Sequence, residues 1–248
     1  MIRYDKKIFQ EIEVTAQISS FCGEGNVEEW HVMLHVQAGG FFSKQMERLH
    51  QAESLLMGMQ EWKGVKCVAR RYFLSDSANQ YREMSLKQTD AVSVIQQPPL
   101  DGSKVALWLY LTRGMEVVQE HGTTVCQSNG YTHLWRMGMQ HPEGDSAVQT
   151  TALLDGYEES LSQFGANVAD NCIRTWFFVQ NVDVNYAGVV KARNEVFVTQ
   201  NLTDKTHFIA STGIAGRHAN PKVSVLMDTY AVDGLQPEQI HYLYARER

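Results

Sequence analysis

The chain has 248 residues, enough for one large domain or two small ones with separate cores. Apolar residues make up 44% and charged residues 20%, a globular rather than a disordered composition. The formal net charge is −6 with Lys and Arg scattered, which argues against a nucleic-acid stripe, and no run of about 18 apolar residues exists to cross a membrane.

Taken in chain order, strand-like segments lie near 10–19 (QEIEVTAQIS) and 29–37 (EWHVMLHVQ). A helix is expected near 43–60, where Met46, Leu49, Ala52, Leu56 and Met59 recur every three or four residues. A strand near 65–74, a short helical piece near 77–86 and strands at 91–96 and 104–111 close this half. Pro and Gly in "QPPLDG" turn the chain between the last two. The second half repeats the order. Strands fall near 123–127 and 131–138, and a helix capped by Asp145 or Ser146 runs to Phe164 and stops at Gly165. A strand at 171–180, a helix at 183–198 with Tyr186, Val190 and Phe197 inward, and strands near 207–214 and 222–232 follow.

The halves also match in residues. "CVARRYFLSDSANQY" (67–81) lies on "CIRTWFFVQNVDVNY" (172–186) without a gap. A duplicated domain is the reading, divided as 1–120 and 121–248, each unit β-β-α-β-α-β-β with helices on one face of a mixed α/β (α+β) sheet. The other face, read as Val105, Leu107, Leu109 and Leu111, is apolar and must pack against a second unit, within or between chains.

Several residues could carry chemistry. "HFIASTGIAGRHANPKVSVLMDTY" (207–230) holds Ser211, Thr212 and Gly213 before Arg217, a small-residue run that either cradles an anion or simply turns the chain. Arg174 with Trp176, and Arg136 in "LWRMG", are strand cations among apolar neighbours, so each must be paired or face a cleft. Asp228 shares a strand face with Leu226 and Tyr230. Unpartnered and inward, it would have a raised pKa and serve as a general acid; otherwise it is a partnered or edge Asp. Lys191 and Glu195 lie in the last helix. Cys22, Cys67, Cys126 and Cys172 form no CxxC pair, and His31 and His35 would sit about 13 Å apart on a strand, so no metal site is expected. "MIRYDKKIFQEIEV" lacks an apolar signal core, and a cytoplasmic protein is expected.

The segment "DGYEESLSQFGANVADNCIRTWFFVQNVDVNYAGVVKARNEVF", with the two strands that close the chain, resembles the Rid/YjgF family. The N-terminal half looks like a divergent copy, and "FIASTGIAG" is similar to strand starts of the tandem-domain chorismatases. The resemblance implies chorismate-mutase-like units that assemble as trimers, with pockets in clefts between units. It implies hydrolysis of enamines or imines, or chorismate cleavage, on a small anionic metabolite without a cofactor. A non-catalytic binding or regulatory role, and an endoribonuclease activity of the L-PSP kind, are the alternatives. The family's carboxylate-binding Arg falls on Ser211, its pocket Glu on Leu226 and its helix Asn near Lys191. In the first half the Arg position falls near Ala91, so neither half keeps the deaminase set. Asp228 and Glu195 are then the candidate catalytic acids. Arg136, Arg174, Trp176, Lys191, Ser211, Thr212, Gly213, Arg217 and Tyr230 are the candidate substrate-binding residues.

Overall fold

A computed structural model describes residues 2–23, 26–84, 86 and 91–243. The first half contains strands β1 (Ile2–Phe9), β2 (Val14–Cys22) and β3 (Glu28–Val36), helix α1 (Phe42–Gly58), strand β4 (Lys66–Leu74), the short helix α2 (Ser77–Gln80), and strands β5 (Ala91–Gln96) and β6 (Val105–Arg113). The second contains β7 (Glu116–Glu120), β8 (Thr123–Ser128), β9 (Tyr131–Gln140), α3 (Ser146–Ser162), α4 (Val168–Asn171), β10 (Cys172–Val179), α5 (Val182–Thr199), β11 (Ala210–Ala215) and β12 (Val225–Asp233). They form two six-stranded sheets, ordered β1-β2-β3-β6-β4-β5 and β11-β10-β12-β9-β8-β7. Read from opposite edges, the two orders are the same. In each sheet one edge pair is parallel, β4 with β5 and β10 with β11, and the rest are antiparallel.

Two features differ from the sequence expectation. Each unit begins with an extra strand, β1 or β7. β1 (IRYDKKIF) is exposed along most of its length, so it carries no burial alternation to read. Val105, Leu107, Leu109 and Leu111 also do not form the bare face. They pack with Phe42, Met46, Leu49, Ala52 and Leu56 of α1 in the first core. Both faces of β6 are apolar, so alternation alone could not say which one the helix takes. The face turned away from α1 is the aromatic one, with Trp108 and Tyr110.

That face meets the second sheet within the same chain. Val68, Ala69, Ala91 and Tyr110 pack with Cys126 and Trp135, and Ile95 packs with Phe178 and Leu226. The end of β5 is tied by backbone: Gln96 N–H donates to the Arg217 carbonyl at 2.8 Å, and Gln97 Nε2 donates to the Ala215 carbonyl at 2.6 Å. Beyond them, Tyr81 meets His218 edge-on at 5.6 Å. The second core lies on the far side of its sheet, where Leu153, Leu154, Tyr157 and Leu161 of α3 and Val189 and Phe197 of α5 cover Phe177, Val225 and Met227.

β5 crosses β9 at Gly138. The register of β9 on β12 slips between Met227 and Thr229, and Gly138 has φ +68°. This is a bulge, and its left-handed residue favours glycine. A Cβ at Gly138 would stand 2.6 Å from the Val92 carbonyl oxygen of β5. Gly138→Ala is therefore expected to destabilise the fold by about 2 kcal/mol or more, lowering the melting temperature by roughly 4 °C or more. A scanning-calorimetry trace with an unchanged midpoint would show that the two sheets do not meet at this point.

Candidate functional site

The seam between the sheets collects the charged and aromatic side chains. Arg71 on β4 stands opposite Trp108 on β6. Trp176 on β10 stands opposite Asp228 on β12, and by the sequence repeat Trp176 occupies the place of Arg71. Arg71 Nε and Nη2 donate to Asp228 Oδ2 at 2.9 and 2.6 Å, across the seam. Its guanidinium is caged by Trp108, Trp176 and Phe178, with ring centroids at 5.3, 5.4 and 5.0 Å. The second oxygen of Asp228, Oδ1, accepts from the bulge amide of Gly138 at 2.8 Å. Asp228 is fully buried and faces Leu226 and Tyr230, as alternation requires, but it has two partners. It is a structural carboxylate here and not an unpaired acid.

At the mouth of the seam Trp176 carries a second cation. Arg174 lies 4.9 Å over the same indole, and its Nη2 donates to the Thr212 hydroxyl at 3.1 Å. Arg174 is exposed, and most of its five N–H donors are left for an anion.

Further along the seam two tyrosines flank Trp135, with ring centroids at 5.1 Å for Tyr110 and 4.4 Å for Tyr230. The Tyr110 hydroxyl donates to Glu29 Oε2 at 2.5 Å, and the Tyr230 hydroxyl lies 2.8 Å from His133 Nδ1. These dyads are equivalent by register. Tyr110 faces His31 on β3 and Tyr230 faces Trp135 on β9, and Glu29 and His133 each sit two residues earlier on those strands. The duplication has thus kept a phenol held against a titratable partner in both units, with a carboxylate in one and an imidazole in the other. Burial, with Glu29 adding to it, raises the pKa of both phenols and pushes the Cys126 thiol up to about 12. The hydroxyls stay protonated and able to donate. The buried Trp135 Nε1–H has no hydrogen-bond partner among the described residues.

Other residues singled out from the sequence lie elsewhere. Arg136 is on the helix side of its strand, where Nη1 donates to the His121 carbonyl and Ser160 Oγ, both at 2.8 Å. Lys191 and Glu195 are exposed on α5. Ser211 is also on the helix side, accepting from Thr175 Oγ1 at 3.0 Å. Gly213 holds no anion cradle: a Cβ there would fall 2.5 Å from Tyr186 Cε2, so the missing side chain makes room for that ring. Arg217 follows β11 in the wall of a separate depression with Gln96, Gln180 and Asn181, and its buried Nε has no partner among the described residues. The seam therefore brings together Arg174, Trp176, Thr212, Asp228 and Tyr230, and leaves out Arg136, Lys191, Glu195, Ser211 and Gly213. It adds Arg71, Trp108, Tyr110, Glu29 and His133. Arg71 in "VARRYFL" met the criterion that picked out Arg174, a strand cation among apolar neighbours.

No family model matches the sequence, and no curated protein matches it. Solved structures do. The chain is similar to a chorismatase at 14% identity, covering 72% of this chain and 52% of that one, with a TM-score of 0.49. It is similar to the YjgF gene product of E. coli at 21% identity, covering 46% of this chain and 88% of that one, with a TM-score of 0.37. A YjgF-family protein of Neisseria meningitidis matches at 19% identity, over 48% of this chain and 95% of that one, with a TM-score of 0.37. The chain spans about half the length of the chorismatase.

Removing one member of a buried ion pair strands the other charge. Arg71→Met and Asp228→Leu should each cost about 3–5 kcal/mol in urea unfolding, and the double variant should recover much of the loss. Additive losses would mean the two charges do not interact. A pH effect follows from His133 and His218, whose pKa values burial lowers, with Glu29 opposing at His133. Above about pH 6.5 the rings are neutral in both folded and unfolded chains and contribute nothing. Below it the unfolded chain takes up protons that the folded chain refuses, so stability falls with pH. The urea midpoint should drop from pH 7 to 5, and less steeply in His133→Gln. An identical slope in that variant would contradict the assignment.

Proposed function

We propose that the chain is a duplicated enzyme, a hydrolase or lyase, that acts on a small anionic metabolite in the cleft between its two sheets. We read the units as 1–120 and 121–248, as the sequence suggests, with one departure: the strand at 116–120 pairs into the second sheet. The observation that carries the reading is Arg174, an exposed guanidinium over the Trp176 indole with one hydroxyl as partner. The indole holds the guanidinium in place by cation–π attraction, and a carboxylate can pair with the guanidinium's free N–H edge. Tyr230 beside His133 then supplies a protonated hydroxyl that can hydrogen-bond to negative charge developing on a leaving oxygen or nitrogen, with Tyr110 and Glu29 as its counterpart in the first unit. Donors aimed at developing charge stabilise the transition state. Chorismatase-like cleavage and imine or enamine hydrolysis are the forms that the sequence resemblance implies, and both need an anion holder and a proton donor.

A second reading, a non-catalytic small-molecule binder or regulator, is favoured by one observation. Asp228 is bound to Arg71, Leu226 is packed against Ile95 and Phe178, and Glu29 is held by Tyr110, so each carboxylate named at the seam already has a partner. The protein is read as cytoplasmic, with no nucleic-acid or membrane partner. It is also read as a homo-oligomer, a trimer by the resemblance. Ile2, Tyr4, Ile8 and Phe21 are exposed on β1 and β2, a surface for such assembly.

A thermal-shift screen with chorismate, 2-imino acids and 2-keto acids, followed by product analysis, tests the proposal. Arg174→Ala is expected to abolish the ligand-induced shift while its own melting temperature moves by no more than about 2 °C. A collapse of the melting temperature with no ligand found would make Arg174 structural. A shift without turnover would favour the binder.

A further inference from the structure

A depression of about 470 Å³ lies where the edge strands of the two units, β5 and β11, end together. Gln96 and Gln97 in its lining come from the first unit, and Gln180, Asn181 and Arg217 from the second. Backbone bonds hold these segments in place. Gln96 N–H donates to the Arg217 carbonyl at 2.8 Å, and Gly216 N–H donates to the Val179 carbonyl at 3.1 Å. Gly216 permits the second bond, because a Cβ there would fall 2.8 Å from Phe178 Cβ. The depression is therefore built into the fold and shared between the halves.

Two buried polar atoms in this lining have no hydrogen-bond partner among the described residues. One is a donor, Arg217 Nε, and the other an acceptor, Gln180 Oε1. Leaving either atom dry and unpaired is costly. Arg217 also makes no ion pair among the described residues. Its charge does reach Asp76, whose carboxyl Asn79 holds below the usual range with a lesser share from Arg217. That carboxylate is engaged by the Asn79 side chain instead. Two more amides have capacity to spare. Gln96 Oε1 accepts from the Ser77 N–H and hydroxyl, both at 3.0 Å, which leaves its Nε2 to donate. Gln97 Nε2 donates to the Ala215 carbonyl, which leaves its Oε1 to accept. Water satisfies neutral atoms but brings no counter-charge to Arg217.

We propose that this depression binds a small amino acid with a polar side chain. Its carboxylate pairs with Arg217 and the Gln96 amide, and its ammonium donates to Gln180 Oε1. The amides of Gln97 and Asn181 favour a polar body over an apolar one. The site is distinct from the cleft mouth, because Arg174 stands five residues back along β10 from Val179, roughly 17 Å of strand. It does not depend on the seam being catalytic. An occupant touches both units, so binding also adds to the stability of their union.

Isothermal titration of the full chain tests this with glutamine and three analogues. 4-Carbamoylbutanoate lacks the ammonium, glutaminamide lacks the carboxylate, and leucine lacks the polar body. Saturable binding of glutamine is expected, with each analogue at least about tenfold weaker, the loss of one charge-assisted or hydrogen-bonded contact. Arg217→Gln, which keeps the backbone bond to Gln96, should weaken glutamine to the same degree, and Arg174→Ala should leave it unchanged. Gln180→Met removes the unpaired acceptor. It should weaken glutamine as well, while the urea midpoint of the free chain does not fall, which guards against a fold defect. No saturable binding of glutamine at millimolar concentration, equal binding of any analogue, or affinity unchanged in both Arg217→Gln and Gln180→Met would overturn the proposal. A urea midpoint lowered in both variants would overturn it too, since the two groups would then be bonded to each other.

Discussion

The Arg71–Asp228 pair fixes how the two halves meet. Both charges are taken out of water, and such a pair is weak evidence for stability but a strong constraint on partner choice. The two residues sit at non-equivalent places in the repeat. Arg71 stands where the second unit has Trp176, and Asp228 stands where the first has Trp108. Two first units facing each other this way would set Arg71 against a tryptophan. Two second units would bury Asp228 without a cation. Only the mixed pairing satisfies both charges, and the bulge at Gly138 adds the amide that completes the carboxylate.

The mixed pairing is also head-to-tail. β5 of the first unit packs on β9 of the second, while β11 and β3, their counterparts, do not pack in the same way. One half of each sheet is therefore covered and the other is open. The open halves hold the exposed groups: Ile2, Tyr4, Ile8 and Phe21 on the first sheet, Arg174 and Ile214 on the second.

The element order, the duplication and the need for sheet-to-sheet packing were legible in the sequence, because each rests on local periodicity or on direct repetition. β1 was not, since an edge strand with both faces wet carries no alternation. Nor was the facing of β6, where Leu107 and Trp108 are both apolar and only the three-dimensional placement of α1 separates them. Arg174, Trp176, Thr212 and Tyr230 could be found as strand residues on one face. Arg71 could not be joined to them, because its contact with Asp228 runs between sheets, and Glu29 and His133 meet Tyr110 and Tyr230 across neighbouring strands far apart in the chain, which no spacing records. Ser211 and Gly213 were read as part of an anion cradle, but their strand turns both toward α5, and Gly213 serves to seat Tyr186.

The seam can be tested in the unmodified chain through one amide. Hydrogen exchange of Gly138 N–H, followed by NMR, reports directly on the bond to Asp228 and so on the closed seam. Exchange as slow as that of the core strands, and independent of protein concentration, is expected if the two sheets of one chain lock together. Exchange at the rate of an open loop, or protection that appears only as the protein is concentrated, would contradict it.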